Sequence, residues 1–215
     1  MQQYLIRKIN HALKIDGSLS HPEWQTAEVA QLVDCVSGKN PKLKTDFRML
    51  YDDYYLYIGY EVEDNNIIAT FTERNDPLYE EDVVEIFLSP SGSLHYYYEF
   101  NFSPNSVIFD AIVLNDDGRE GVGRGTLIPW TDWNCENIQV RSQKKDDGNW
   151  SVAAAIPFKS LHLAENRTPK SGETWRTNIC RIEYGEEETE YTTWSPTGLV
   201  DFHTSERFGL LRFEC

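Results

Sequence analysis

Residues Val83–Leu114 read VVEIFLSPSGSLHYYYEFNFSPNSVIFDAIVL. Three runs rich in Val, Ile, Tyr and Phe, each of strand length, are separated by Pro90-Ser91-Gly92 and Ser103-Pro104-Asn105, residues that tolerate tight or left-handed backbone. Two successive hairpins result, with no room between the runs for a crossover helix. The same punctuation recurs on both sides. Leu13–Asp16, Phe47–Tyr51, Tyr55–Val62, Ile138–Gln143, Trp150–Ile156, Trp175–Glu183 and Phe208–Phe213 also read as strands, and Asp52-Asp53 and Asp146-Asp147-Gly148-Asn149 as turns. Hairpin following hairpin predicts an all-β fold, an antiparallel β-sandwich, with short helical turns near Glu23–Ala30 and Phe158–Leu161. No linker or internal repeat divides residues 1–215, so a single domain is expected.

The first of the three runs is preceded by acids: Arg74–Leu88 is RNDPLYEEDVVEIFL. In a strand from Val83, Val84, Ile86 and Leu88 share a core face, and Val83, Glu85 and Phe87 share the other. Glu85 then either reaches water or finds a donor, because an unpaired buried charge is costly; the pattern alone favours a solvated face. Glu80, Glu81 and Asp82 precede the strand as loop carboxylates. Calcium wants six to eight oxygens from several positions, so three adjacent acids can supply only one or two, and no EF-hand spacing is present. A structural calcium stays open on this reading, and no other cofactor is required.

The 35 acids against 20 Lys plus Arg give a formal charge of -15, a sign that repels nucleic acid and anionic lipid surfaces and leaves neutral or cationic partners. No apolar run approaches the ~18 residues of a membrane span. Cys35, Cys135, Cys180 and Cys215 are too dispersed for a zinc site and read as buried thiols. MQQYLIRKIN carries two cations with no apolar stretch behind them, which leaves either a cytoplasmic protein or an exported one whose leader has been removed.

Catalytic patterns are few. There is no G-x-S-x-G elbow, and no histidine is tied to a Ser or Cys. Gly121-Val-Gly123-Arg-Gly125 lacks the preceding strand and following helix of a phosphate loop. Glycoside hydrolysis needs two carboxyls facing one cleft, and Glu85, Glu99, Asp110 and Glu183 are strand acids that could supply a pair. The aromatics say more. Six Trp, 12 Tyr and 10 Phe exceed what one core needs, and several adjoin turns, among them Tyr79 and Trp194. Aromatic platforms beside acids and amides suit neutral sugars, whose C–H faces stack and whose hydroxyls bond to the rim. The Gly-rich stretch Asn115–Asn137, closed by Trp130 and Trp133, reads as a binding or lid element or as a plug for one end of the sandwich.

IDGSLSHPEW, LYDDYYLYIGYEVED, DPLYEEDVVEIFLSPSG, YYYEFNFSPNSVIFDA, NWSVAAAIPFKSL, GETWRTNICRIEYG and WSPTGLVDFHTSERFGLLRF, in this order from Ile15 to Phe213, resemble carbohydrate-binding module family 9 and its free-standing relatives. The resemblance implies a β-sandwich with structural calcium that grips a glucan or xylan chain end between two aromatic rings. By position, Tyr79, where a tryptophan is usual, and Trp194 match the rings. Glu85 matches a carboxylate and Arg181 an arginine near the sugar, with Glu99 and Asn101 on the neighbouring strand completing the rim. The basic residue some members carry on that strand is missing. The expectation is therefore a monomer that binds an oligosaccharide or polysaccharide without chemistry. A glycoside hydrolase or accessory enzyme is the first alternative, and a protein-interaction sandwich with a degenerate sugar site the second. The last predicts Tyr79 and Trp194 buried or far apart.

Overall fold

The expected hairpins form in a computed structural model that describes residues 1–116, 126–185 and 188–214. In chain order the strands are β1 (Gln3–Lys8), β2 (Ala30–Gln31), β3 (Val33–Asp34), β4 (Thr45–Tyr51), β5 (Tyr55–Val62), β6 (Val83–Ser89), β7 (Tyr96–Phe102), β8 (Ile108–Asn115), β9 (Leu127–Trp130), β10 (Gln139–Lys144), β11 (Trp150–Pro157), β12 (Thr174–Tyr184), β13 (Thr189–Thr193) and β14 (Gly209–Glu214). They lie in the order β10-β11-β5-β4-β1-β14-β12-β6-β7-β8-β9, with β13 beside β12 and the short β2 and β3 paired to β4 and β13. Helical structure is confined to single turns, including Pro22–Thr26 and Phe158–Ser160, near the two expected positions.

This continuous sheet is folded over as a sandwich. Phe47 and Met49 of β4, Ile58 and Tyr60 of β5 and Val152 and Ala154 of β11 share one core with Val84, Ile86 and Leu88 of β6, Tyr98 and Phe100 of β7 and Ile179 of β12. Each such side chain contributes about 1.5–3 kcal/mol by leaving water. The two halves also bond directly: the Tyr60 hydroxyl donates to the Glu85 carbonyl at 3.0 Å.

Two strand assignments are corrected. Leu13–Asp16 is not a strand; Leu13 instead packs with Trp24, Leu50 and Tyr57 on the outer face of β4 and β5. The first strand is Gln3–Lys8, where Tyr4 and Ile6 are buried between exposed Gln3, Leu5 and Arg7. It runs parallel to both β14 and β4, joining the two halves of the sheet, so the sandwich is mixed along this seam and antiparallel elsewhere. The long 115–137 connection is partly strand, since β9 pairs with β8. Trp133 plugs the core against Tyr98, with ring centroids 4.9 Å apart, while Trp130 stays exposed. Gly121–Gly125 lies outside the described residues. Cys35, Cys135 and Cys180 are buried free thiols, as expected, and Cys215 lies outside the described residues.

Candidate functional site

The outer face of β6 is not solvated. Val83 and Phe87 on that face pack with Tyr97, Phe109, Cys180 and Ile182 under a cover made by Leu78, Phe202 and Phe208. Glu85, which alternation suggested would meet water, is only 2% exposed. The cover is incomplete over Glu85 and Glu99, leaving a pocket of about 330 Å³.

Register explains who reaches it. Glu85 stands opposite Asn101 of β7 on one side and Cys180 of β12 on the other, so these three side chains share a face. Glu99, one step along β7 on the same face, is the diagonal neighbour of Glu85. Tyr79 enters from the turn Leu78–Glu80, anchored by buried Leu78, and packs edge-on against Phe109 at 5.8 Å. It is 44% exposed, and its carbonyl accepts the Tyr184 hydroxyl at 3.0 Å. Tyr191 of β13 opposes Ile182 in the ladder and lines the same pocket, as do Asp201 and His203 of the loop before β14.

Polar partners fix the acids unequally. Glu99 accepts from Asn101 Nδ2 at 3.0 Å, and His203 Nε2 lies 3.9 Å from its other oxygen. His203 is held by the Tyr97 hydroxyl at 3.0 Å, and Asn115 donates to its carbonyl at 2.8 Å. Among the described residues no donor reaches the Glu85 carboxyl. Burial, reinforced by the charge of Glu99, pushes the Glu85 carboxyl well above the usual carboxylate range. Burial followed by Glu80 and Glu99 likewise raises the Tyr79 phenol.

Tyr79, Glu85 and Glu99 therefore come together, with Asn101 directly behind Glu99. Arg181 and Trp194 do not join them. Arg181 is 1% exposed and lies on the reverse face of β12, because it follows Cys180 by one residue and the side-chain period is two. Its guanidinium bonds Thr45 Oγ1 at 3.1 Å, Asp64 at 3.5 Å and Glu183. Trp194, 6% exposed, packs edge-on against Tyr4 and Phe47 in the main core. It rests on Gly209, where a Cβ would come within 2.4 Å of the indole ring. The expected second ring thus belongs to the core, and the β13 aromatic that faces the pocket is Tyr191. The pairing of β12 with β13 was the missed sign, since it places Tyr191 on the face of Ile182 and Thr193 on that of Cys180.

The acids before β6 are also placed. Glu81 accepts the Thr70 and Phe71 amides, and Asp82 those of Ile68 at 2.5 Å and Tyr184 at 2.7 Å, so both staple the 68–71 segment. Glu80 is exposed. Asp110 is buried under Arg74 at 2.7 Å, away from the pocket. Asp64, Asp82 and Glu183 bring oxygens within 4.8 Å of one another. This set falls short of the calcium that the family implies. Three carboxylates offer few of the six to eight oxygens required, both oxygens of Asp64 and of Asp82 already accept N–H donors, and Glu183 is paired to Arg181. Arg181 supplies the cation there. Burial raises Asp82 to about 6 and Glu183 to about 8.

Several proteins share this architecture. A carbohydrate-binding module family 9 domain of Caldicellulosiruptor kristjanssonii, solved with cellotriose, superposes with a TM-score of 0.69 at 15% identity, covering 99% of this chain and 94% of that one. A Bacteroides uniformis protein provisionally described as carbohydrate-binding superposes at 0.74 with 20% identity and 99% of both chains covered. An extracellular protein of Arthroderma benhamiae is 25% identical over 190 residues, 83% of this chain and 82% of its own length. The family model described as carbohydrate family 9 binding domain-like matches residues 15–214. This chain belongs to the carbohydrate family 9 binding domain-like family.

Proposed function

We propose that the pocket over β6 and β7 binds the end of a β-glucan or xylan-type chain, without chemistry, in the service of polysaccharide breakdown. The observation that carries this reading is one pocket lined by the half-exposed ring of Tyr79 and by Glu85 and Glu99. A sugar ring stacks on Tyr79, with Tyr191 in place of the expected tryptophan, and its hydroxyls donate to the two carboxyls. Asn101 acts behind the site by holding Glu99; Arg181 and Trp194 support the strands that build it. The protein binds the sugar as a monomer. Family membership and the cellotriose held by the Caldicellulosiruptor domain support the ligand class.

Calorimetric titration with glucose, cellobiose and xylobiose tests this. The parent protein binds at least one of them and Tyr79→Ala binds it about tenfold more weakly; a parent that binds no sugar refutes the reading.

A second reading has its own observation. Glu85 and Glu99 face one pocket, and burial raises the Glu85 carboxyl, the environment that glycoside hydrolases give their acid. Glycoside hydrolysis would release reducing ends from cellotriose at a rate abolished in Glu85→Gln. Binding with no product formation rejects it.

A further inference from the structure

Among the described residues, every carboxylate-bearing or cationic side chain that lines the pocket is acidic apart from His203: Glu85, Glu99 and Asp201 line it, and no Lys or Arg does. His203 is committed to Tyr97 through Nδ1 and faces Glu99 through Nε2. Arg181 is held on the opposite face of the sheet by Asp64 and Glu183. The two glutamates are nearly buried, at 2% and 5% exposure, where opposite charges attract more strongly than in water. Glu85, without a protein donor, stands at the pocket wall as an unsatisfied acceptor.

A neutral sugar answers Glu85 with one hydroxyl. An ammonium brings up to three N–H donors and a positive charge that favours the ionised form of Glu85 against its burial, the carboxyl proton passing to solvent, and the faces of Tyr79 and Tyr191 attract a cation as well. A carboxylate or sulfate on the ligand meets three acids and, among the described residues, no Lys or Arg. Resting on the carbohydrate reading above, we infer that this pocket selects sugars bearing a protonated amine, such as a 2-amino-2-deoxyhexose at the end of a β-1,4-linked glucosamine oligomer, over neutral sugars and against uronic acids.

Among the described residues, the titratable groups facing Glu85 are Glu99 from β7, Cys180 from β12, Tyr79 from the preceding turn, Tyr191 from β13, and Asp201 and His203 from the last loop; none supplies the fixed positive charge that the ligand would bring.

The test is calorimetric titration at low salt and near-neutral pH, where the amine still carries its proton and acid does not hold Glu85 neutral, with four β-1,4-linked disaccharides or their acid analogue: cellobiose, the glucosamine disaccharide, its di-N-acetyl form and a glucuronate-terminated one. The glucosamine disaccharide is expected to bind at least about tenfold tighter than cellobiose, a difference of ~1.4 kcal/mol. Acetylation, which removes the charge but keeps the ring, abolishes the gap, and the uronate binds weakest. Glu85→Gln shrinks the gap, and Glu99→Gln serves as the second variant if the first fails to fold. Cellobiose binding as tightly as the glucosamine disaccharide overturns the inference and leaves the carbohydrate reading standing. Binding of no disaccharide overturns both, and a gap unaltered in both variants overturns its assignment to these carboxyls.

Discussion

Replacing Trp194 by alanine separates the position that the family pattern assigns this residue from the one it occupies. Trp194 is buried among Tyr4 and Phe47, with centroids at 6.4 and 6.0 Å, and its ring lies over the bare backbone of Gly209. Gly209 has no side chain to move into the space the indole would vacate. Loss of a buried tryptophan in such a site costs about 3–5 kcal/mol. For 215 residues, with an unfolding entropy of ~2.1 cal/mol/K per residue, the melting temperature shifts by ~2 °C per kcal/mol, or roughly 7–11 °C. Calorimetric melting of parent and variant measures the shift, and sugar titration well below both transitions measures binding. The expected outcome is a large fall in Tm with affinity within about twofold of the parent. A variant that melts like the parent but loses sugar binding tenfold would refute the placement of Trp194 in the core.

Tyr79→Ala should show the reverse pattern. Its ring is 44% exposed, so Tm falls by no more than a few degrees, while sugar affinity drops about tenfold, the order expected for losing one aromatic contact surface; unchanged affinity on titration counts against Tyr79 as the platform. Stability should decline from pH 5 to pH 8. Asp82 and Glu183 hold protons in the folded chain up to about 6 and about 8, whereas the unfolded chain releases them near ordinary carboxylate values, so the folded state binds more protons across this window. Their stabilisation is complete below the unfolded values and is lost as pH rises through the folded ones, by up to ~1.4 kcal/mol per pH unit for each group. Asp16, Asp34 and Glu173, lowered instead, act in the opposite sense toward more acidic pH. Chemical denaturation across pH checks this, with Glu183→Gln flattening the upper part; a flat or rising profile in the parent contradicts it. Millimolar calcium or EDTA should leave Tm unchanged, and a calcium-dependent rise that EDTA reverses would show that the Asp64, Asp82 and Glu183 cluster, or another, does take the ion.

The hairpins around Val83–Leu114 were readable because apolar runs alternate with turns that only certain residues make. The faces were harder. β6 is buried on both sides: Leu78, Phe202 and Phe208 cover its outer face, and two of them lie more than a hundred residues away in sequence. No local period reports such a cover, so Glu85 looked solvated. β12 mixes polar and apolar residues on both faces, Cys180 and Ile182 on one and Ile179, Arg181 and Glu183 on the other, and its pattern alone does not tell which face Arg181 takes. Only pairing to β6 decides it. Tyr79 and Glu85 were legible from motif order, whereas Tyr191 and His203 depend on how the last third of the chain folds back over the sheet. Tyr4 and Ile6 alternate with their neighbours, but two buried positions in a short N-terminal run are too few to mark a strand by themselves.

The parallel seam of β1 between β4 and β14 also bears on kinetics. Gln3 meets Leu210, so the contact that joins the two halves spans nearly the entire chain, while β6, β7 and β8 pair through short turns. Loop closure of that length is slow, and strands that pair locally have formed well before it. The pocket wall built on β6 and β7 is therefore an early product of folding. Closure of the sandwich, with burial of Tyr4 and Ile6, waits for the last strand to arrive, and until then the open edges of β4 and β12 are where misassembly between chains would begin.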